Sequence, residues 1–267
     1  MKRNLLIILC CFSILFAGCS IAVPAIQPTS TPTQPPRPPQ DTVVSLTFDD
    51  GNADNFSIEP VLKENGLHAT FYIPSGLVGT TGFMTWDQLQ TLRDDGNEIG
   101  GHTLNHIRLE GLDTQALKHQ ICDDRTNLMD HGFKPISFAY PFGNYDEHVQ
   151  QMVKYCGYAS ARLVVGGTES IPPADAYGLL TTPYIVSDTD LPKIERYVWQ
   201  TRKEGGGWVI LIFHHVCNSC DFFSVKPDVL NNFIPWLAQQ QDIGHIKVMT
   251  IGEVMSEKVS PQQTPTP

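Results

Sequence analysis

Positive charge is scarce in this sequence. Lysine and arginine number 18 against 28 aspartates and glutamates, a formal net charge of −10, and only 17% of the 267 residues are charged. Phosphate polymers are bound through a basic footprint, so a nucleic-acid partner is excluded. Long hydrophobic runs are missing as well. Beyond the N-terminus no stretch reaches the roughly 18 apolar residues that span a bilayer, which excludes a multi-span membrane protein. There is no internal repeat, no Gly-rich phosphate loop that would point to an organic cofactor, and no second CxxC to complete a zinc knuckle. What is present is 41% hydrophobic residues, too many for a chain disordered throughout. Residues 42–256, about 215 of them, suit one domain with one buried core.

The first 19 residues have the pattern of an export signal. Lys2 and Arg3 precede an apolar run of 12 residues, 5–16, too short to span a bilayer comfortably. Small residues follow in Phe16-Ala17-Gly18-Cys19, which resembles the lipobox of a bacterial lipoprotein, cut before Cys19 and lipidated there. Phe16 stands where a branched aliphatic is usual. An ordinary secretory signal with a chance cysteine, or an uncleaved anchor, are the alternatives. The expectation is a lipid anchor holding the protein on the extracytoplasmic face of the cell membrane. Residues 20–41 are rich in Pro and Thr, as in Thr29-Ser30-Thr31-Pro32-Thr33-Gln34-Pro35-Pro36, and read as a semi-rigid spacer reaching up to roughly 70 Å at ~3.1 Å per residue. The tail, 259–267, has a similar composition, which leaves 42–258 as the folded domain.

Inside that domain strands and helices alternate. Apolar runs predict strands over 43–48, 69–73, 98–101, 136–140, 159–164, 208–213 and 245–250, and helical spacing predicts helices over 57–65, 86–93, 113–131, 146–155, 191–203 and 229–240. Alternation of this kind implies a parallel α/β sheet covered by helices, and seven or eight units favour a barrel over an open sheet. Functional groups in such barrels collect at the C-terminal ends of the strands. That rule picks out Asp49 and Asp50, His102, Pro141-Phe142-Gly143, and His214 with His215.

These residues suit a metal-assisted hydrolase. Asp49-Asp50-Gly51 sets two carboxylates side by side. Adjacent strand residues point to opposite faces, but a turn at Gly51 can bring both into one pocket, where they repel unless a cation is present. His102 and His106 have the spacing of one helical turn and can share one ion. One carboxylate and two imidazoles leave open positions for water and substrate, the arrangement that activates water as a nucleophile. Singly these signals are common, since Asp-Asp-Gly is usually only a turn, HxxxH is often a surface coincidence, and His214 could be a buried structural histidine. Their joint placement at strand ends is what carries the reading.

The same residues resemble the polysaccharide deacetylase (NodB-homology) family of carbohydrate esterases. Val44-Ser45-Leu46-Thr47-Phe48-Asp49-Asp50-Gly51 resembles the family's first motif, and Glu98-Ile99-Gly100-Gly101-His102-Thr103-Leu104-Asn105-His106 its second. Phe138-Ala139-Tyr140-Pro141-Phe142-Gly143 is similar to the third, and Leu211-Ile212-Phe213-His214 to the last. The resemblance implies a distorted (β/α) barrel of about seven units. It implies Asp49 as general base, and Asp50, His102 and His106 as ligands of one divalent metal, usually zinc. It further implies the backbone N–H of Phe142 in the oxyanion site and His214 as general acid, with His215 as the alternative acid. The substrate class would be an N-acetylated polysaccharide.

Two departures stand out. Many members carry an arginine in the third motif that holds the base carboxylate, and the matching position here is Ala139. The fourth motif, usually an Asp-Trp pair supporting the catalytic histidine, is not recognisable. Arg162, in Ser160-Ala161-Arg162 at the end of the strand after the third motif, is the candidate for the missing charge. Two classes of function therefore remain: a metal-dependent glycan deacetylase, acting on N- or O-acetyl groups, and a lipid-anchored glycan-binding protein without turnover.

Of seven cysteines, Cys10 and Cys11 leave with the signal and Cys19 takes lipid, which leaves Cys122, Cys156, Cys217 and Cys220. An even number in an exported domain favours disulfides. Cys122 and Cys156 fall on helices of consecutive units, which lie side by side outside a barrel, so a bridge would staple them. Cys217 and Cys220 would bridge just past His214, or hold zinc with an outside partner.

Overall fold

The computed structural model describes residues 41–257. The expected signal, Cys19, the spacer up to residue 40 and the tail 259–267 lie outside the described residues.

Eight strands form one parallel sheet. Strand β1 (Thr42–Phe48) pairs along its whole length with β7 (Gly207–Phe213). Its other edge is shared: Val43 and Val44 pair with β10 (Lys247–Val248), and Thr47 and Phe48 with β2 (Thr70–Ile73). The sheet continues through β3 (Glu98–Gly101), β4 (Ser137–Ala139), β5 (Ser160–Gly166) and β6 (Leu179–Thr181). Between β6 and β7 the ladder is reduced to Thr182, whose amide and hydroxyl both donate to Ile210 O at 3.1 and 3.2 Å. That poor seam makes the barrel a distorted one.

The alternation of β1 sorts its residues between two environments, as a period of two requires. Val44, Leu46 and Phe48 face outward into the largest apolar cluster, under α1 (Glu59–Glu64), α2 (Trp86–Asp94), α5 (Leu191–Lys203) and α6 (Pro227–Asp242). A second cluster lies where α3 (Thr114–Asp130) and α4 (Glu147–Tyr155) cover β4 and β5. The third holds Val43, Tyr72, Ala139, Leu179, Trp208 and Ile210, drawn from β1, β2, β4, β6 and β7, and fills the barrel itself. Its lower end is plugged by Ile251 and Val254 of α7 (Ile251–Ser256). The carboxylate of Glu98 fixes that plug. It accepts from Gly252 N and Thr70 Oγ1, each at 2.8 Å, and from Ser137 Oγ at 2.7 Å.

Several helices start where side-chain caps satisfy the free N–H groups of the first turn. Asp113, Asp146 and Asp190 cap α3, α4 and α5, while Thr85 with Gln88 and Thr250 with Glu253 close capping boxes on α2 and α7. Two expectations need correction. The helix read over 57–65 is a 3-10 turn, Ala53–Ile58, followed by α1, whose second residue is Pro60; proline has no N–H and suits a first turn rather than an interior. The strand read over 245–250 is only Lys247–Val248, because Thr250 caps α7. Strand β6 and the short ladder β8 (His215–Val216) to β9 (Ser224–Val225) were not foreseen.

Candidate active site

β1 delivers both aspartates. The Asp49 amide donates to Phe213 O at 2.9 Å, extending the β1–β7 ladder by one residue. Asp50 and Gly51 then turn through the left-handed region, with φ of 68° and 65°. The turn sends the two carboxylates to different partners in one cleft. Asp50 Oδ1 lies 3.3 Å from His102 Nε2 and 3.1 Å from His106 Nε2. Asp49 pairs with Arg162, and its Oδ2 lies 3.9 Å from His214 Nε2.

The histidine pair comes from a loop, not from a turn of helix. His102 follows β3 directly, and Thr103 and His106 adopt left-handed φ of 68° and 51°. The loop is tied down on α3: Leu104 N donates to Gln120 O at 2.9 Å and Asn105 N to the Gln120 side chain at 3.1 Å. The glycines before His102 are needed for close approach. A Cβ on Gly100 would stand 2.6 Å from the Tyr72 ring, and one on Gly101 would collide with the Tyr158 hydroxyl. Ring centroids of His102 and His106 end 4.8 Å apart.

Local contacts prepare these groups as ligands. His102 Nδ1–H donates to Ala139 O at 2.7 Å, which orients the ring with Nε2 toward Asp50. Burial pushes the Asp50 carboxyl up, but the hydrogen bond from His102 and the His102 charge outweigh it and hold it well below the usual range. Burial pulls His102 down, yet Asp50 and Asp49 leave it above its ordinary value. His106 is lowered to about 4 by burial and by the charge of His102. Its imidazole is therefore neutral at physiological pH, as ligation requires. Asp50, His102 and His106 each offer one donor atom, all within 4.8 Å of one another. Two imidazoles and one carboxylate with open positions fit a divalent ion of the zinc type.

Around this cluster stand the other expected residues. Arg162 is the third residue of β5, mid-strand rather than at its end, and is fully buried. Besides Asp49 it meets Leu163 O through Nη1 at 3.1 Å and lies over the Tyr72 ring at 4.7 Å. Phe142 sits in the turn Pro141–Gly143 that ends β4, with a left-handed φ of 61° and its ring 4.8 Å from that of His106. His214 Nδ1 is buried and has no hydrogen-bond partner among the described residues, so no carboxylate supports it there. His215 is directed elsewhere: its Nδ1 meets Asp54 Oδ2 at 2.8 Å.

Asp54 and Asn55 were missed in the sequence. Asn55 is fully buried and its amide donates to His214 O. The 3-10 turn after Asp49-Asp50-Gly51 is thus stitched to both histidines after β7. Nothing in a lone Asp-Asn pair signals that link.

Among the described residues two disulfides are present. Cys122–Cys156 joins α3 to the end of α4 with Cα atoms 4.9 Å apart, and Cys217–Cys220 closes the segment after β8 with Cα atoms 5.8 Å apart. The bonded Cys217 and Cys220 offer no thiolates to a zinc ion, although Asp54 lies close by.

Fold and cleft together define a (β/α)-barrel protein with a cluster of two histidines and one aspartate at the C-terminal mouth, flanked by a carboxylate–guanidinium pair and a further histidine. Residues 37–161 match the family described as polysaccharide deacetylase. It is 32% identical over 123 residues to YxkH of Bacillus subtilis, provisionally named a polysaccharide deacetylase, covering 45% of this chain and 44% of that one. It is 25% identical over 123 residues to the peptidoglycan-N-acetylglucosamine deacetylase of Bacillus cereus, covering 45% and 56%. The chain spans about half the length of these curated relatives. The family 4 acetyl xylan esterase of Clostridium thermocellum, solved with a cobalt ion, superposes with a TM-score of 0.59 at 19% identity over 82% of this chain and 93% of that one. The Streptococcus pyogenes deacetylase PplD, solved with acetate, gives 0.53 at 23% identity over 58% and 69%. Both share the fold.

Proposed function

We propose that this domain is a metal-dependent hydrolase that removes acetyl groups from an N-acetylated glycan, with zinc as the metal. One observation carries the reading: Asp49, held by Arg162, stands 3.9 Å from His214 on the rim of a cluster whose three donors suit a divalent cation. A site that only bound sugar would need no paired base and acid. The names of the Bacillus relatives support a cell-wall glycan.

Asp50, His102 and His106 would hold the ion, which supplies Lewis acidity toward the acetyl carbonyl and lowers the pKa of water. The chain's own residues do the proton work. Asp49, oriented by Arg162, takes the proton of the attacking water. The N–H of Phe142 donates to the developing oxyanion. His214 protonates the leaving nitrogen, so acetate and a free amino sugar depart. We further propose that the protein is exported and held at the outer face of the cell membrane by lipid on Cys19. The two disulfides support an oxidising compartment.

The test is acetate release by the purified domain from N-acetylglucosamine oligomers, peptidoglycan and acetylated xylan, before and after chelation and with zinc restored. Release from the N-acetylated glycans that disappears on chelation and returns with zinc is expected. Release from xylan alone would make it an O-deacetylase. Full metal content in a His102→Ala/His106→Ala protein would overturn the ligand assignment.

A further inference from the structure

Beside His214 runs a row of aromatic rings that ends in an exposed one. The Phe223 centroid lies 5.3 Å from that of His214, and Phe222 lies 4.9 Å from Phe223, edge to face. Tyr184 completes the row, 5.2 Å from Phe223 and 6.4 Å from His214. The two steps of 5.3 and 4.9 Å bound the Phe222 ring to within about 10 Å of the His214 ring, a reach of one or two linked sugar units.

The loop that presents Phe222 is braced at many points. Its base is the β8–β9 ladder, pairing His215 with Ser224 and Val216 with Val225. One arm is closed by Cys217–Cys220. At the tip, Phe222 O accepts from Ser187 N at 3.0 Å, Phe223 N donates to Asp221 Oδ1 at 2.8 Å, and Ser224 Oγ donates to Asp221 O at 2.7 Å. The Asp54–His215 contact ties the whole loop to the arm that carries Asp49 and Asp50. Yet Phe222 is 65% exposed. A large apolar ring held in water on so fixed a backbone forgoes the stabilisation that burial would give it.

We propose that Phe222 is a sugar-stacking subsite, taking a non-reacting pyranose ring of the same glycan chain whose acetamide is cut at His214. This rests on the glycan deacetylase reading above. The C–H face of a pyranose is apolar and its hydrogens complement the negative face of an aromatic ring. Continuity with the aromatic neighbours of His214 makes that sugar part of the substrate rather than a separate ligand. Binding energy collected there, away from the reacting bond, favours polymers over single sugars.

The experiment compares wild type, Phe222→Ala and Phe222→Tyr on β-1,4-linked N-acetylglucosamine oligomers from dimer to hexamer. Wild-type kcat/KM should rise with length. In Phe222→Ala the advantage of hexamer over dimer should shrink by about twofold to tenfold, chiefly through KM, and Phe222→Tyr should restore it. A merely structural role would lower all lengths by one factor, and that result, or no change, overturns the subsite. Calorimetric titration of the hexamer into wild type and Phe222→Ala reads binding without turnover. Weaker binding by a similar factor supports the subsite, while equal binding, or none by either protein, overturns it. If wild type binds the hexamer but releases acetate from no glycan, the deacetylase reading falls and the titration still decides the subsite.

Discussion

Ala139 and Arg162 are register partners on the neighbouring strands β4 and β5. The family's third motif usually places an arginine at the first of these positions. Here the guanidinium has moved one strand along, and it still meets Asp49. Both residues are buried in the barrel.

This relationship predicts a swap. Arg162→Ala leaves the Asp49 carboxylate buried without its cation, which costs about 3–5 kcal/mol of stability when one partner of a buried pair is removed. Turnover should fall on the order of 10²-fold as the base loses its orientation. Ala139→Arg added to Arg162→Ala should recover part of both. Denaturant unfolding and acetate release measure the two effects. A folded swap variant no more active than Arg162→Ala would show that β5 alone can seat the charge.

The histidines after β7 should separate cleanly. His214→Ala should lower kcat by roughly 10²–10⁴-fold, the range for a lost general acid. His215 turns toward Asp54, so His215→Ala should cost less. Asp54→Asn should lower kcat by about tenfold with KM little moved, since it loosens the segment that places His214 without touching substrate. Steady-state kinetics on one N-acetylated oligomer decides this, and a greater loss in His215→Ala would reverse the two roles.

Much of this cleft was legible because its residues are neighbours in sequence at strand ends. Asp49-Asp50-Gly51, His102 and His214 could be placed once the strands were. The conformation between them could not. HxxxH suggests a helical turn, but Thr103 and His106 are left-handed, and the loop follows Gln120 of a helix many residues later. Strand β6 has three residues in a long irregular stretch, too few for a period to show. Asp54 and Asn55 matter only through atoms more than 150 residues away, a relation that no local pattern encodes.

A pH dependence follows from Asp124. It is fully buried on α3, accepts from Ser75 N at 3.0 Å and Tyr158 Oη at 3.3 Å, and is pushed up to about 6, chiefly by burial. The folded state therefore binds this proton more tightly than the unfolded chain, whose carboxyl titrates near 3.8. Its contribution is most favourable below pH 4, is lost as pH rises through 6, and is flat above; the loss is about 3 kcal/mol in total. Asp124→Asn keeps an acceptor for Ser75 and removes the titration. Unfolding in urea from pH 4 to 7 should show the variant gaining on wild type by up to that amount. A constant difference across the range would mean that Asp124 is not proton-linked to folding.

The bridge between α3 and α4 gives the last expectation. Cys122 and Cys156 are 34 residues apart, and closing a loop of that size in the unfolded chain is worth about 3–4 kcal/mol in the chain-entropy account. The bond lies behind β4 and β5, on the far side of the sheet from the Arg162 guanidinium, among Leu117, Ile121, Val149 and Val153. Its loss should therefore lower stability more than it disturbs the cleft. Cys122→Ala/Cys156→Ala should unfold at lower denaturant with a steeper dependence on it, since the unlinked unfolded chain exposes more surface. At temperatures where it stays folded, its kcat/KM should remain within about twofold of wild type, because the barrel and not the bridge holds Arg162 and Asp49 together. Cys217→Ala/Cys220→Ala should do the reverse. Its loop spans only 3 residues, so little chain entropy is at stake, but it braces the segment next to His214. Measured side by side, the first pair should move the unfolding midpoint and the second the kinetics. Equal effects of both on both readouts would refute the division.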